Sequence, residues 1–231
     1  MSQNRPFPLP LFPLQSVVLY PGMVLPLHIF EERYQLLVHR CLSEQQPFGV
    51  VLIYEGQEFG DSAIPHPVGT TARIINVEHL AGGRMNIMVI GGERFQIHDY
   101  ANDAEPYLMG TVTLWPDELG DRGQFGELIG DLRQNFAEYF TLVMSLVERP
   151  QPASHFKLPD DPTELSYHVA ANLHIDPEEK QSLLEISNTR ERLQRELSLL
   201  RREGSFLQRL ASLQGQLEAD DLSWSGLLYL N

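Results

Sequence analysis

From Leu9 to Trp115 the chain is cut into short apolar runs rich in Val, Ile and Leu, each bounded by Gly or Pro. Runs that short between turn formers fit strands and are too brief for helices, so this half is expected to be a compact β unit. The expected strands fall near 11–19, 24–29, 48–54, 68–78, 85–91, 94–100 and 107–115. Gly82-Gly83, between Ile74-Ile75-Asn76-Val77 and Met85-Asn86-Ile87-Met88-Val89, marks a hairpin, because glycine reaches positive φ without a Cβ clash. Gly91-Gly92 reads as a second tight turn. Val50-Val51-Leu52-Ile53 is apolar at every position, which implies cover on both faces, as in a small closed barrel. One helix interrupts the strands: in Glu31–Glu44 the residues Tyr34, Leu37, Val38, Cys41 and Leu42 fall at i, i+3, i+4, i+7 and i+8. That stripe is expected to lie on the barrel, with Phe30 and Tyr34 in the core and Cys41 a buried thiol.

After Trp115-Pro116 the spacing changes. Asp117–Gly123 is acidic and carries two glycines, which reads as a linker. Phe125, Leu128, Ile129, Leu132, Phe136, Tyr139, Phe140, Val143 and Val147 then form one long helical face. Asp161-Pro162-Thr163-Glu164 and Asp176-Pro177-Glu178-Glu179 each place Asp at N-cap, Pro at N1 and Glu at N3, the chemistry of a helix start. Ser187 is expected to cap a last helix, with Leu193, Leu197, Leu200, Leu207 and Leu210 along it. The division expected is therefore a barrel over 1–116, a linker over 117–123, a helical bundle over 124–214 and an acidic, apolar tail over 215–231. The tail carries Trp224, Leu227, Leu228, Tyr229 and Leu230, and is expected to dock on its own molecule or to exchange with a second copy.

Seventeen Lys and Arg against 31 Asp and Glu give a formal charge of −14, a field that repels nucleic-acid phosphates and anionic lipid headgroups. Six arginines of the last helix, Arg190, Arg192, Arg195, Arg201, Arg202 and Arg209, are interleaved with Glu191, Glu196 and Glu203, the pattern of an ion-paired solvent face. Cys41 is the only cysteine, which leaves neither an intramolecular disulfide nor a Cys-cluster metal site and suits a reducing, cytoplasmic setting. The eight histidines form no two-ligand spacing, so no metal is expected. The lysines, Lys157 and Lys180, lack the glycines of a phosphate loop, and no nucleophile elbow occurs. The amino-terminal segment has no basic, unbroken apolar leader, and no window is apolar enough to span a membrane. No catalytic residue, cofactor, nucleic-acid partner or membrane is expected.

Leu9-Pro10-Leu11-Phe12-Pro13-Leu14, Val17-Val18-Leu19-Tyr20-Pro21-Gly22 and Pro26-Leu27-His28-Ile29-Phe30-Glu31 resemble the N-terminal substrate-binding region of Lon protease. Val68-Gly69-Thr70, Gly91-Gly92-Glu93-Arg94-Phe95, Asp161-Pro162, Ala170-Ala171 and Lys180-Gln181-Ser182-Leu183-Leu184-Glu185 extend the likeness over roughly 9–210. The resemblance implies an α+β chain, a PUA-like β-barrel with one packed helix followed by a helical bundle. It also implies a free-standing member without the ATPase and peptidase domains, which binds polypeptides without processing them. The alternatives are an RNA-binding PUA-like module and a small-ligand binder with a cleft between barrel and helices. The irregular stretches Tyr54–Pro67 and Asp103–Tyr107 are the expected contact surface, with Phe59, Ile64 and Tyr107 presented to a polypeptide.

Overall fold

The structure is a computed structural model that describes residues 5–57, 63–102, 105–118, 125–146 and 158–227, with side chains described up to 213. In chain order the elements are β1 (Phe7–Leu14), β2 (Val24–Ile29), α1 (Glu32–Glu44), β3 (Phe48–Glu55), β4 (Ile64–Pro65), β5 (Val68–His79), β6 (Met85–Ala101), β7 (Met109–Leu114), α2 (Gly126–Leu146), α3 (Pro162–Asn172), α4 (Pro177–Leu184) and α5 (Thr189–Leu227). They belong to two compact units: Met1–Gly120 with Pro159–Arg192, and Asp121–Leu158 with Leu193–Asn231.

The first unit holds the sheet. β1 pairs antiparallel with β7, β7 with β6, β6 with β5 and β5 with β3, and β3 pairs parallel with β1, so the path of pairings returns to its first strand. Every side chain from Phe48 to Ile53 in β3 is buried, which accounts for the unbroken apolar run. Phe48 and Val50 join one core, with Phe12, Ile29, Ile87, Val89 and the α1 face, while Val51 joins another with Leu9, Leu11, Phe95 and Val112. Alternate residues of one strand thus serve two cores.

Gly82 and Gly83 turn the chain between β5 and β6 at φ 74° and 75°, as expected. Gly91-Gly92 is different. β6 runs 17 residues through both glycines with a register shift against β5 at that point, pairing with β2 over Met85–Ile90 and with β7 over Phe95–Ala101. The glycines permit a close approach instead of a turn: a Cβ on Gly91 would lie 2.1 Å from the Tyr20 carbonyl oxygen.

On α1, Tyr34, Leu37, Val38 and Cys41 are buried, each apolar side chain contributing about 1.5–3 kcal/mol when fully covered. Leu42 and Phe30, expected on the stripe and in the core, are 39% and 49% exposed, and Phe30 stacks on His28 at the rim of β2. The two Asp caps are present: Asp161 accepts from the amides of Thr163 and Glu164, and Asp176 from that of Glu178. The start of α5 is capped by Asn188 and not by Ser187, the Asn188 carboxamide oxygen accepting from Arg190 and Glu191.

The helices do not sort as the sequence suggested. α3, α4 and the first turn of α5 belong with the strands, while α2 and the rest of α5 form the second unit. Asp117 and Glu118 are tied into the first unit, Glu118 exchanging backbone hydrogen bonds with Ser187 and Thr189, both 2.9 Å. Residues 119–123 of the expected linker lie outside the described residues. In the second unit Leu132, Phe136 and Tyr139 of α2 and Leu193, Leu197 and Leu200 of α5 are buried, with an Arg201–Asp131 ion pair of 3.1 Å at the surface. α5 continues without a break through 215, where the tail was expected to begin. No described helix is long and apolar enough to cross a membrane.

Cys41 is 3% exposed, and burial pushes its thiol up from the usual 9.0 to about 11. Folding therefore favours the neutral form, so its contribution to stability is intact below pH 9.0 and is lost as pH rises towards 11. At pH 8 the folded protein should react with iodoacetamide about 100-fold more slowly than a free thiol, and at the free-thiol rate in urea. Mass spectrometry of the alkylated fraction against time checks this.

Candidate functional site

One large groove opens on the first unit, with a volume of about 980 Å³. Three strand-side segments line it, Pro21–Val24, Gly92–Arg94 and Leu114–Asp117, and on the other side stand Pro159, Asp161, Thr163, Glu164, Tyr167, His168, Ala171 and Asn172 from α3 and its approach. Each segment is held by an identifiable constraint. Gly22 turns at φ +77°, and the Met23 amide donates to the Tyr20 carbonyl at 3.0 Å. The same turn is fastened to β6 by Gly22 to Gly91 and Gly91 to Met23 hydrogen bonds, both 2.9 Å, the approach that only glycine at 91 allows. The buried Tyr20 hydroxyl reaches under this turn to donate to the Lys180 carbonyl of α4 at 2.8 Å. Trp115 is set by its amide donating to the Arg94 carbonyl at 2.8 Å, and α3 begins at the groove edge under the Asp161 cap.

The floor is a buried charge network. The Asp117 carboxylate accepts from Arg94 at 3.0 Å, from Arg192 at 2.9 Å and from the Tyr167 hydroxyl at 2.7 Å. Arg94 and Arg192 are 2% and 0% exposed. Arg94 also donates to the carbonyls of Leu184 and Ile186, and Arg192 to Ser166 and the Ile186 carbonyl. Each guanidinium covers a ring, Arg94 over Trp115 at 4.8 Å and Arg192 over Tyr167 at 4.1 Å. Burial lowers the Arg94 pKa, while Asp117 and Tyr167 favour its charged form; burial raises that of Tyr167, which stays a phenol able to donate to Asp117. Burial likewise lowers His168, so the imidazole on the groove wall is neutral at pH 7.

Above this floor the groove is apolar with an acidic rim. Pro21, Met23, Val24, Leu114, Trp115 and Pro116 supply the apolar wall, and Glu93, Asp161 and Glu164 are exposed carboxylates. Among the described lining residues Arg94 is the one permanent cation, and it is bound to Asp117. The described residues contain no group of three or more His, Cys, Asp or Glu placed to hold a metal.

Of the residues expected at the site, the two that are described lie elsewhere. Ile64 is 40% exposed on β4, opposite Glu55, with Tyr54 67% exposed beside that edge. Tyr107 is 3% exposed, not presented as expected: it packs in the larger core, and Arg40 donates to its hydroxyl at 3.1 Å. It borders a recess of about 20 Å³ with Tyr34, Ala63 and Leu108, room for about one water. Phe59 lies outside the described residues. Neither Ile64 nor Tyr107 lines the groove. The sequence did mark Arg94 as a strand start and Asp161-Pro162 as a cap, with Pro21-Gly22 among the residues of the resemblance, but nothing in their spacing shows that they face one another.

Replacing Asp117 by Ala would leave two buried guanidiniums without a counter-charge, and is expected to cost about 3–5 kcal/mol. Asp131→Ala, which removes only the exposed partner of Arg201, should leave stability unchanged within error. Urea midpoints of the two variants against the parent, with the slope held equal, check the contrast.

The model of the ATP-dependent protease La (LON) substrate-binding domain matches residues 8–202. Lon protease 2 of Syntrophobacter fumaroxidans is 28% identical over 94% of this chain and 27% of its own length, and Lon protease 2 of Myxococcus xanthus is 29% identical over 89% and 25%. The chain thus spans about a quarter of the length of these curated relatives. Among solved structures, a Lon N-terminal domain protein from Xanthomonas campestris is similar with a TM-score of 0.59 at 27% identity, covering 83% of this chain and 98% of that one. The N-terminal domain of the Mycobacterium avium complex Lon protease has the same fold, with a TM-score of 0.59 at 20% identity over 84% and 98%. With a family model matched over most of its length, the chain belongs to the LON substrate-binding domain family.

Proposed function

We propose that this protein binds polypeptide segments in the groove between the strand edge and α3, and that it does so without processing them. The observation that carries the reading is the groove itself: about 980 Å³, with an apolar wall of Pro21, Met23, Val24, Leu114 and Trp115, in a chain whose family is described as substrate-binding in a protease. The substrate of a protease is polypeptide, and an apolar trough with polar groups along its edge suits the side chains of an extended segment. The returning path of strand pairings is, on this reading, the PUA-like barrel, which holds one wall of the groove rigid. The acidic rim speaks against phosphate-bearing ligands, RNA included. A cytoplasmic setting belongs to the same proposal, Cys41 being unpaired and buried. An unfolded ligand loses conformational freedom on docking, so affinity is expected near micromolar, about −8 kcal/mol.

Trp115 makes the site observable. In a Trp224→Phe background it is the remaining tryptophan, and titration with a permanently unfolded protein should change its fluorescence with a midpoint of about 1–10 μM. Met23→Asp together with Val24→Asp should weaken binding at least about tenfold, a loss of about 1.4 kcal/mol, while Ile64→Asp should not. The opposite pattern would move the site to the 54–67 edge, and no binding by the parent protein would remove the polypeptide reading.

A further inference from the structure

If the groove receives a polypeptide, its charges say which kind. The three rim carboxylates differ from most acidic residues of the surface in standing around an apolar trough. Glu93 lies beside it at the glycine crossing in β6, and Asp161 and Glu164 stand opposite in the first turn of α3. Among the described residues no cation pairs with the Glu93 or Glu164 side chain. Arg94 and Arg192 share Asp117 in the floor and are 2% and 0% exposed, and the Lys180 ammonium is held by the carbonyl of the lining residue Ala171 at 3.3 Å. Three cations, Arg94, Arg192 and Lys180, thus stand against four carboxylates, Asp117 in the floor and Glu93, Asp161 and Glu164 at the rim. The field in the trough is therefore negative, and it is focused by the apolar wall.

A ligand matched to these features needs both an aliphatic surface and a positive end. We propose that the groove selects extended segments in which a Lys or Arg adjoins an apolar residue, the apolar side chain and the basic side chain's methylene stem lying on Met23, Val24 and Trp115 and the charged head reaching Glu93 or Glu164. Long basic side chains divide in this way wherever an apolar floor borders a polar edge. Acidic segments would be rejected by the same rim, since like charges brought together cost affinity and slow encounter. The inference rests on the groove being a polypeptide site and adds the chemistry of its occupant.

The test uses the full chain and two fluorescein-labelled, unstructured peptides of identical apolar composition, one with Lys and the other with Glu at the positions flanking the apolar residues. At about 150 mM salt the Lys peptide should bind at least about tenfold more tightly, and raising salt to about 500 mM should shrink that ratio. The double variant Glu93→Gln, Glu164→Gln keeps side-chain size at exposed positions and should bring the ratio below about threefold. Glu127→Gln with Glu138→Gln on α2 removes the same total charge from the other unit and should leave the ratio intact, separating rim from overall field. If the Lys and Glu peptides bind the parent equally, or if the α2 variant lowers the ratio as much as the rim variant, selection by the rim is overturned while the groove remains a polypeptide site. Failure of both peptides and of an unfolded protein to bind at all would overturn the site itself.

Discussion

Asp117 is the residue on which the first unit depends, because one carboxylate there answers two arginines that are out of contact with water. A buried guanidinium without a counter-charge is among the most costly features a fold can contain, so wherever Asp117 sits, Arg94 and Arg192 must follow. Arg94 is in β6, Arg192 in the first turn of α5, and Tyr167, the third partner, in α3. Their convergence fixes the chain leaving β7 against three separate elements. The carbonyls of Leu184 and Ile186, which take the remaining donors, bring the end of α4 to the same point. The groove is the space left over when α3 is held at this distance from the Pro21–Val24 turn.

A second constraint sets the opposite lip. Gly91 lets the Tyr20–Met23 turn rest directly on β6, and the turn then presents Met23 and Val24 to the groove, with Val24 44% exposed. Any side chain at 91 would meet the Tyr20 carbonyl and push this lip outward. The function proposed for the groove therefore draws on two features of opposite character, a charge network that pulls α3 in and a missing Cβ that lets the turn come close.

How much of this was legible in the sequence depended on the range of the interactions. Features decided within a few residues were readable: the Gly82-Gly83 turn, the Asp161 and Asp176 caps, and the α1 stripe from Tyr34 to Cys41. Features decided by contacts between distant segments were not. Gly91-Gly92 has the composition of a turn, and only the position of Tyr20 shows that it is a crossing point in a continuous strand. Arg192 has the spacing of an ion-paired surface residue, yet it is fully buried because Asp117 and Ser166 arrive from elsewhere in the chain. Tyr107, which its irregular surroundings in the sequence mark as a presented aromatic, is drawn inward by core packing, its hydroxyl reached by Arg40. The assignment of α3 and α4 to the strand unit was hidden for the same reason, since both helices have ordinary caps and their partners are strands that lie far away in sequence.

The central claim is a location, and chemical-shift mapping of the isotope-labelled protein tests it residue by residue. On titration with an unfolded polypeptide, the amides of Gly22–Val24, Gly92–Arg94 and Thr163–Glu164, together with the Trp115 indole, should move together with one dissociation constant. Shifts confined to the 54–57 and 63–67 edge, or to α2, with these groove signals unmoved, would contradict the account.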